Sequence, residues 1–136
     1  MRPRLYARTR ARSSLEVETV LEKDIERFLK QQIEKNIPGA MCLKFLSPGL
    51  RGVPDRIILL PGAHVVFAEL KKPGKKPGPL QQHVHGLLIK LGFTVFDCVD
   101  TKDKALEVVQ FCQYVYDWRT YTAGIWAEEG ATHGKS

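Results

Sequence analysis

A chain of 136 residues has room for one domain built around one hydrophobic core. Its 43% hydrophobic and 26% charged residues match an ordinary globular protein, and no stretch approaches the roughly 20 apolar residues of a spanning helix, so disordered and membrane classes are set aside. The net charge of +6 and pI near 9.3 favour a polyanionic partner, nucleic acid before an acidic membrane surface.

Residues 1–14 carry five arginines and almost no hydrophobic pattern, so they are expected to form a basic flexible arm. An Arg- and Ser-rich start without acids has a transit-peptide composition. Leu5 and Tyr6 are its only large apolar residues, however, and no apolar run follows that would make a secretory signal. From Leu15 the pattern turns helical, with Val17, Leu21, Ile25, Phe28 and Leu29 on one face and Ser13 or Ser14 as a cap. Pro38 and Gly39 stop that helix.

Short apolar runs follow. Met41 to Leu46 reads as a strand ended by Ser47-Pro48-Gly49, and Arg56 to Leu60 as a second. A two-residue Pro61-Gly62 turn, with Ala63 beside it, leads to a third, His64 to Lys71, so the last two should pair as a hairpin. Lys72 to Gly78 is a basic loop. Pro79 suits the first turn of a helix whose buried stripe would be Leu80, Val84, Leu87, Leu88 and Leu91, closed by Gly92. Phe93 to Val99 is a fourth strand, and residues 101–116 a last helix with Leu106, Val109 and Val115 facing inward. Residues 117–136 form an aromatic tail without a clear period. Cys42, Cys98 and Cys112 are odd in number, lack a CxxC pair and sit in apolar runs. Buried reduced thiols in an intracellular, cytoplasmic protein are therefore expected.

Strand periodicity locates the chemistry. Along Val65 to Lys71, alternate side chains share a face: Val66, Ala68 and Leu70 look like core, while Glu69 and Lys71 project together from the other side. If the hairpin forms, Asp55 falls at the same open end and converges with Glu69. Two carboxylates at one point repel, and a divalent cation with oxygen ligands relieves them; Mg²⁺ or Mn²⁺ suits that donor set. Lys71 would neutralise charge on an attacked phosphate. Taken singly, Glu-x-Lys is a common surface pair and Gly52-Val53-Pro54-Asp55 a common turn.

Together, Gly52-Val53-Pro54-Asp55, Glu69-Leu70-Lys71 and Gln81 opening a helix that ends at Gly92 resemble the VRR-NUC family of the PD-(D/E)XK nuclease superfamily, over about residues 15 to 112. The resemblance implies an α/β restriction-endonuclease-like fold, with a mixed central sheet of about four strands flanked by helices. The nuclease domain would span 15–116, between the arm and the tail. Asp55 and Glu69 become metal ligands with the backbone carbonyl of Leu70, Lys71 the catalytic lysine, and Gln81 an active-site glutamine preferred over Gln82. An acid on the first helix would complete the site: Glu22, with Glu18 and Glu26 one turn away.

The implied activity is Mg²⁺- or Mn²⁺-dependent hydrolysis of DNA, with no organic cofactor and no membrane partner. Stand-alone minimal members resemble phage and bacterial enzymes that resolve four-way junctions, so branched duplex DNA and a homodimer are expected. A flap- or nick-directed nuclease, a non-catalytic DNA-binding module and an RNA binder led by the arm are the competing readings. Lys72, Lys75 and Lys76 would hold backbone phosphates, with Arg51 and Arg56 as weaker candidates and Arg8, Arg10 and Arg12 of the arm either on DNA or in solvent. His83 and His85 lack a carboxylate at metal-ligand spacing and read as surface or core histidines; His64 only starts a strand.

Overall fold

The computed structural model describes residues 14–133, those at 14–20, 121 and 125–133 by their backbone alone. Arg8, Arg10 and Arg12 lie outside the described residues, as does the side chain of Glu18. The order is α1 (Ser14–Asn36), β1 (Met41–Lys44), β2 (Arg56–Leu60), β3 (His64–Leu70), α2 (Pro79–Lys90), β4 (Thr94–Val99) and α3 (Lys102–His133). The four strands make one mixed sheet in the order β1-β2-β3-β4. β1 pairs antiparallel with β2 and β2 with β3, while β4 lies parallel to β3 after the α2 crossover.

The β2–β3 hairpin forms as expected, with Leu60 opposite His64 and Arg56 opposite Ala68. Its turn takes three residues rather than two, because Gly62 and Ala63 both enter the left-handed region at φ 87° and 62°. β3 is the centre of the molecule. Val66, Ala68 and Leu70 join the core that α1 and α3 cover, together with Ile25, Leu29 and Ile33 from α1. Phe67 points to the opposite face, where the rings of Phe45 and Phe93 each lie 5.5 Å from it. Glu69 shares that second face, so the alternation read from the sequence holds.

Four expectations need correction. The inward stripe of α1 is Ile25, Leu29 and Ile33, continued by Ile37 beyond the helix, while Leu21 is exposed. On α2, Leu80, Leu87 and Leu91 face solvent and the buried residues are Val84 and His85. The helix is turned so that polar groups meet Glu69. In α3, Leu106 is exposed and Val115 is half-buried; Ala105, Val108, Val109 and Cys112 form the buried face. The helix does not end at 116 but continues to His133, so the expected boundary falls inside it. Cys42 and Cys112 are buried free thiols, their pKa pushed by burial up to about 11 and about 12, and Cys98 is half-buried. No described helix is long and apolar enough to cross a membrane.

Gly52 fixes how the segment ahead of Asp55 sits on α2. It holds φ 89°, and a Cβ there would meet the Leu80 carbonyl oxygen at 3.1 Å and Val84 at 3.2 Å. Gly86, inside α2, has open space at the same test. Gly52→Ala is therefore expected to lower stability by about 1–2 kcal/mol. Gly86→Ala should raise it by roughly 0.5–1 kcal/mol. Urea unfolding of the two variants checks both signs; a neutral Gly52→Ala contradicts the close packing.

Candidate active site

The hairpin register places Asp55, one residue before β2, beside Glu69 near the end of β3. The two residues are interlocked through the backbone. The Asp55 N–H donates to Glu69 Oε2 at 3.2 Å, and the Leu70 N–H donates to Asp55 Oδ2 at 2.9 Å. The Asp55 carbonyl in turn accepts from Phe45 N–H at 2.8 Å, which ties the segment to the end of β1. Each acid thus has one oxygen committed to a backbone donor of the facing strand.

Glu69 is only 1% exposed, whereas Asp55 is exposed. Burial, and then the negative charge of Asp55, push the Glu69 carboxyl up to about 7, although Lys71 pulls the other way. Lys71 Nζ lies 3.3 Å from Glu69 Oε1 and donates to Gln81 Oε1 at 2.9 Å. Gln81 Nε2 donates to the same Glu69 oxygen at 3.0 Å, and its Oε1 also accepts the Gly78 N–H at 3.1 Å. One amide thereby locks the acid, the amine and the start of α2 together. Gln82 turns away and donates to the Pro77 carbonyl.

A residue that the sequence reading passed over completes this cluster. His85 is 2% exposed, and its Nε2 lies 3.7 Å from Glu69 Oε2. Neither ring nitrogen has a hydrogen-bond partner, and burial holds its pKa below the ordinary histidine value. The available signal was its place one helical turn after Gln81, which puts both on one face.

Two clefts open beside the acids. One, of about 220 Å³, is lined by Glu22, Glu26, Lys44, Phe45, Leu46, Asp55 and Leu70. The other, of about 280 Å³, is lined by Glu22, Lys71, Lys72, Lys75 and Lys76. Glu22 borders both, which distinguishes it from Glu26. Glu26 is committed to a part-buried ion pair with Arg56, whose Nη1 also reaches the Cys42 carbonyl. Arg56, 7% exposed, is therefore a structural residue on the α1 side of the sheet and not a phosphate contact. Arg51 is exposed in the turn ahead of Pro54. Lys44 was not singled out from the sequence; as a lone basic residue ending an edge strand it carried no signal.

The basic loop after Lys71 is held from behind by β4 and the residue that follows it. Asp100 Oδ2 accepts the Gly74 N–H at 3.2 Å, its Oδ1 pairs with Lys104 at 2.7 Å, and Cys98 Sγ donates to the Lys75 carbonyl at 3.2 Å. The Lys104 hydrogen bond holds the Asp100 carboxyl below its usual value.

Asp55, Glu69 and the Leu70 carbonyl offer hard oxygen donors close together, the two acids being interlocked through N–H to carboxylate hydrogen bonds. That chemistry fits a small divalent cation. Among the described residues no three His, Cys, Asp or Glu side chains converge on one metal-sized point, so Glu22 stands apart from the paired acids.

A scan of protein-family models finds no match. A curated relative, named "Putative nuclease p44", from Acyrthosiphon pisum secondary endosymbiont phage 1, is 42% identical over 84 residues, which is 62% of this chain and 87% of that protein. A solved structure titled "VRR_NUC domain" superposes with a TM-score of 0.61 at 27% identity, over 66% of this chain and 95% of the other. By sequence and by architecture, this chain belongs to the VRR-NUC family of nucleases.

Proposed function

We propose that the protein is a metal-dependent endonuclease that hydrolyses phosphodiester bonds of DNA. The observation that carries the reading is the Asp55–Glu69 interlock with Lys71 3.3 Å from Glu69, set beside a cleft lined by four lysines. Asp55, Glu69 and the Leu70 carbonyl would hold a Mg²⁺ or Mn²⁺ ion. When bound, such an ion polarises a phosphoryl oxygen and makes a coordinated water more acidic. Lys71 keeps a positive charge at the attacked phosphate, where charge builds up in the transition state. Gln81 fixes Lys71 and Glu69 relative to each other, so their spacing costs little reorganisation during reaction. Lys72, Lys75 and Lys76 bind the flanking phosphates, and Glu22, which borders both clefts, would add a further carboxylate near the ion.

The reading extends to substrate shape. A domain of this size has little surface for a large branched substrate, so a homodimer with one active site per opposing strand suits a four-way junction. The cytoplasm is where such a chain would meet its DNA. A cleavage panel of linear, flapped, nicked and four-way DNAs with Mg²⁺ and with Mn²⁺ tests both levels. Paired cuts in the junction at low enzyme concentration are expected; equal cleavage of linear duplex removes the junction preference but not the nuclease.

Lys71→Ala should reduce kcat by about 10²–10³ with DNA binding retained. Persistent cleavage would show that the centre lies elsewhere. Replacing Lys72, Lys75 and Lys76 together by Ala should weaken DNA binding and lower the slope of log K against log salt by about 0.9 per lost contact. An unchanged slope removes the loop from the interface. In metal-free protein, the raised Glu69 pKa contributes stability below about pH 4.5 that is lost as pH rises through about 7. Thermal unfolding against pH should therefore fall less steeply in Asp55→Asn, which removes one source of the shift, and Mn²⁺ should restore stability at pH 8 only with Asp55 present.

A further inference from the structure

The paired acids and the lysine leave one buried polar group unexplained. His85 is almost fully enclosed, yet neither ring nitrogen has a hydrogen-bond partner in the protein. An imidazole buried in this way is disfavoured relative to an apolar side chain of similar size unless it does something there. Its place is specific. α2 presents Gln81 and His85 on one face, and they approach different oxygens of the same carboxylate. Gln81 Nε2 binds Glu69 Oε1 at 3.0 Å, and His85 Nε2 stands 3.7 Å from Glu69 Oε2. Oε2 is also the oxygen that accepts the Asp55 N–H, so it is the one aligned with the second acid.

We infer that His85 is a positioning residue for Glu69: its Nε2–H points at Oε2 and sets the rotation of the carboxylate that, on the function proposed above, holds the metal ion. Oε1 is fixed by Gln81 and Lys71, whereas Oε2 is held only by the Asp55 N–H at 3.2 Å, a long contact that leaves the carboxylate room to rotate. A second donor toward Oε2, from α2, narrows that rotation and so sets the plane in which Glu69 meets Asp55. A neutral ring has one N–H, and the 3.7 Å approach of Nε2 to Glu69 Oε2 selects the tautomer that carries it on Nε2. Asp97 from β4, with Lys71 and Asp55, are the other charged groups whose fields reach the ring. None of them takes its N–H as a hydrogen bond. His85 touches neither substrate nor ion in this arrangement. It acts through Glu69, as the outer partners of metal ligands commonly do.

The test has two parts, neither of which uses cleavage. The first is a long-range ¹H–¹⁵N spectrum of the metal-free natural chain, which reports the tautomer of His85 directly. A proton on Nε2, with a resonance that moves on Mg²⁺ addition, is expected; a bare Nε2 facing the carboxylate overturns the inference. The second is a Mn²⁺ titration of DNA-free protein, followed by electron paramagnetic resonance, with His85→Leu and His85→Gln. His85→Leu should bind Mn²⁺ about 10–100-fold more weakly, while His85→Gln, which keeps an N–H donor, should recover most of that loss. Equal affinity in the natural chain and His85→Leu overturns the inference, as does a glutamine variant as weak as the leucine one. Should His85→Leu fail to fold, the tautomer of the natural chain decides. A natural chain that binds no Mn²⁺ at all contradicts the proposed function instead, so the two failures are told apart.

Discussion

Two acids, Asp55 just ahead of β2 and Glu69 in β3, each surrender one oxygen to a backbone N–H of the other's segment, and the rest of the site is arranged around that exchange. The Asp55 N–H on Glu69 and the Leu70 N–H on Asp55 need the β2–β3 register to be correct to the residue. A slip of one position would send Glu69 into the core and Ala68 out to the cleft. The register is secured by the left-handed turn at Gly62 and Ala63 and by the Val66, Ala68 and Leu70 side chains in the α1–α3 core. Stability and chemistry thus rest on the same strand, one face each.

The crossover helix adds the second constraint. A helix between parallel strands must pack on the sheet, and α2 does so with its polar face inward at the point where Glu69 emerges. Burial there raises the carboxyl of Glu69, and the nearby Asp55 raises it further. In the metal-free chain this is a local destabilisation, a common feature of sites shaped for a ligand. Lys71 and Gln81 offset part of it. The loop that follows Lys71 is pinned by Asp100 and Cys98, so four lysines line a cleft beside the acids rather than spreading over the surface.

Much of this was legible in the residues. Period-two alternation in β3 separated Glu69 from its core neighbours, and the Pro-Gly turn brought Asp55 to the right end of the hairpin. Two readings failed for identifiable reasons. Of the stripe that apolar spacing predicts for α2, Val84 is buried, but Gln81 and His85 share the inward face in place of the leucines because their partner is a carboxylate, and hydrophobic periodicity cannot report a polar interface. Arg56 was grouped with the surface cations by charge alone, although it shares strand parity with Ile58 and Leu60 and so faces α1, where Glu26 meets it. The extension of α3 past residue 116 was invisible for a different reason: the described side chains there are mostly exposed, so no buried face imprints a period.

Crystals soaked in Mn²⁺ and measured at the manganese absorption edge give the most direct test of the paired-acid centre. The account predicts one strong anomalous peak about 2.1 Å from oxygens of both Asp55 and Glu69, with the Leu70 carbonyl in the same shell. A peak bound to either acid alone, or none at saturating Mn²⁺, contradicts it.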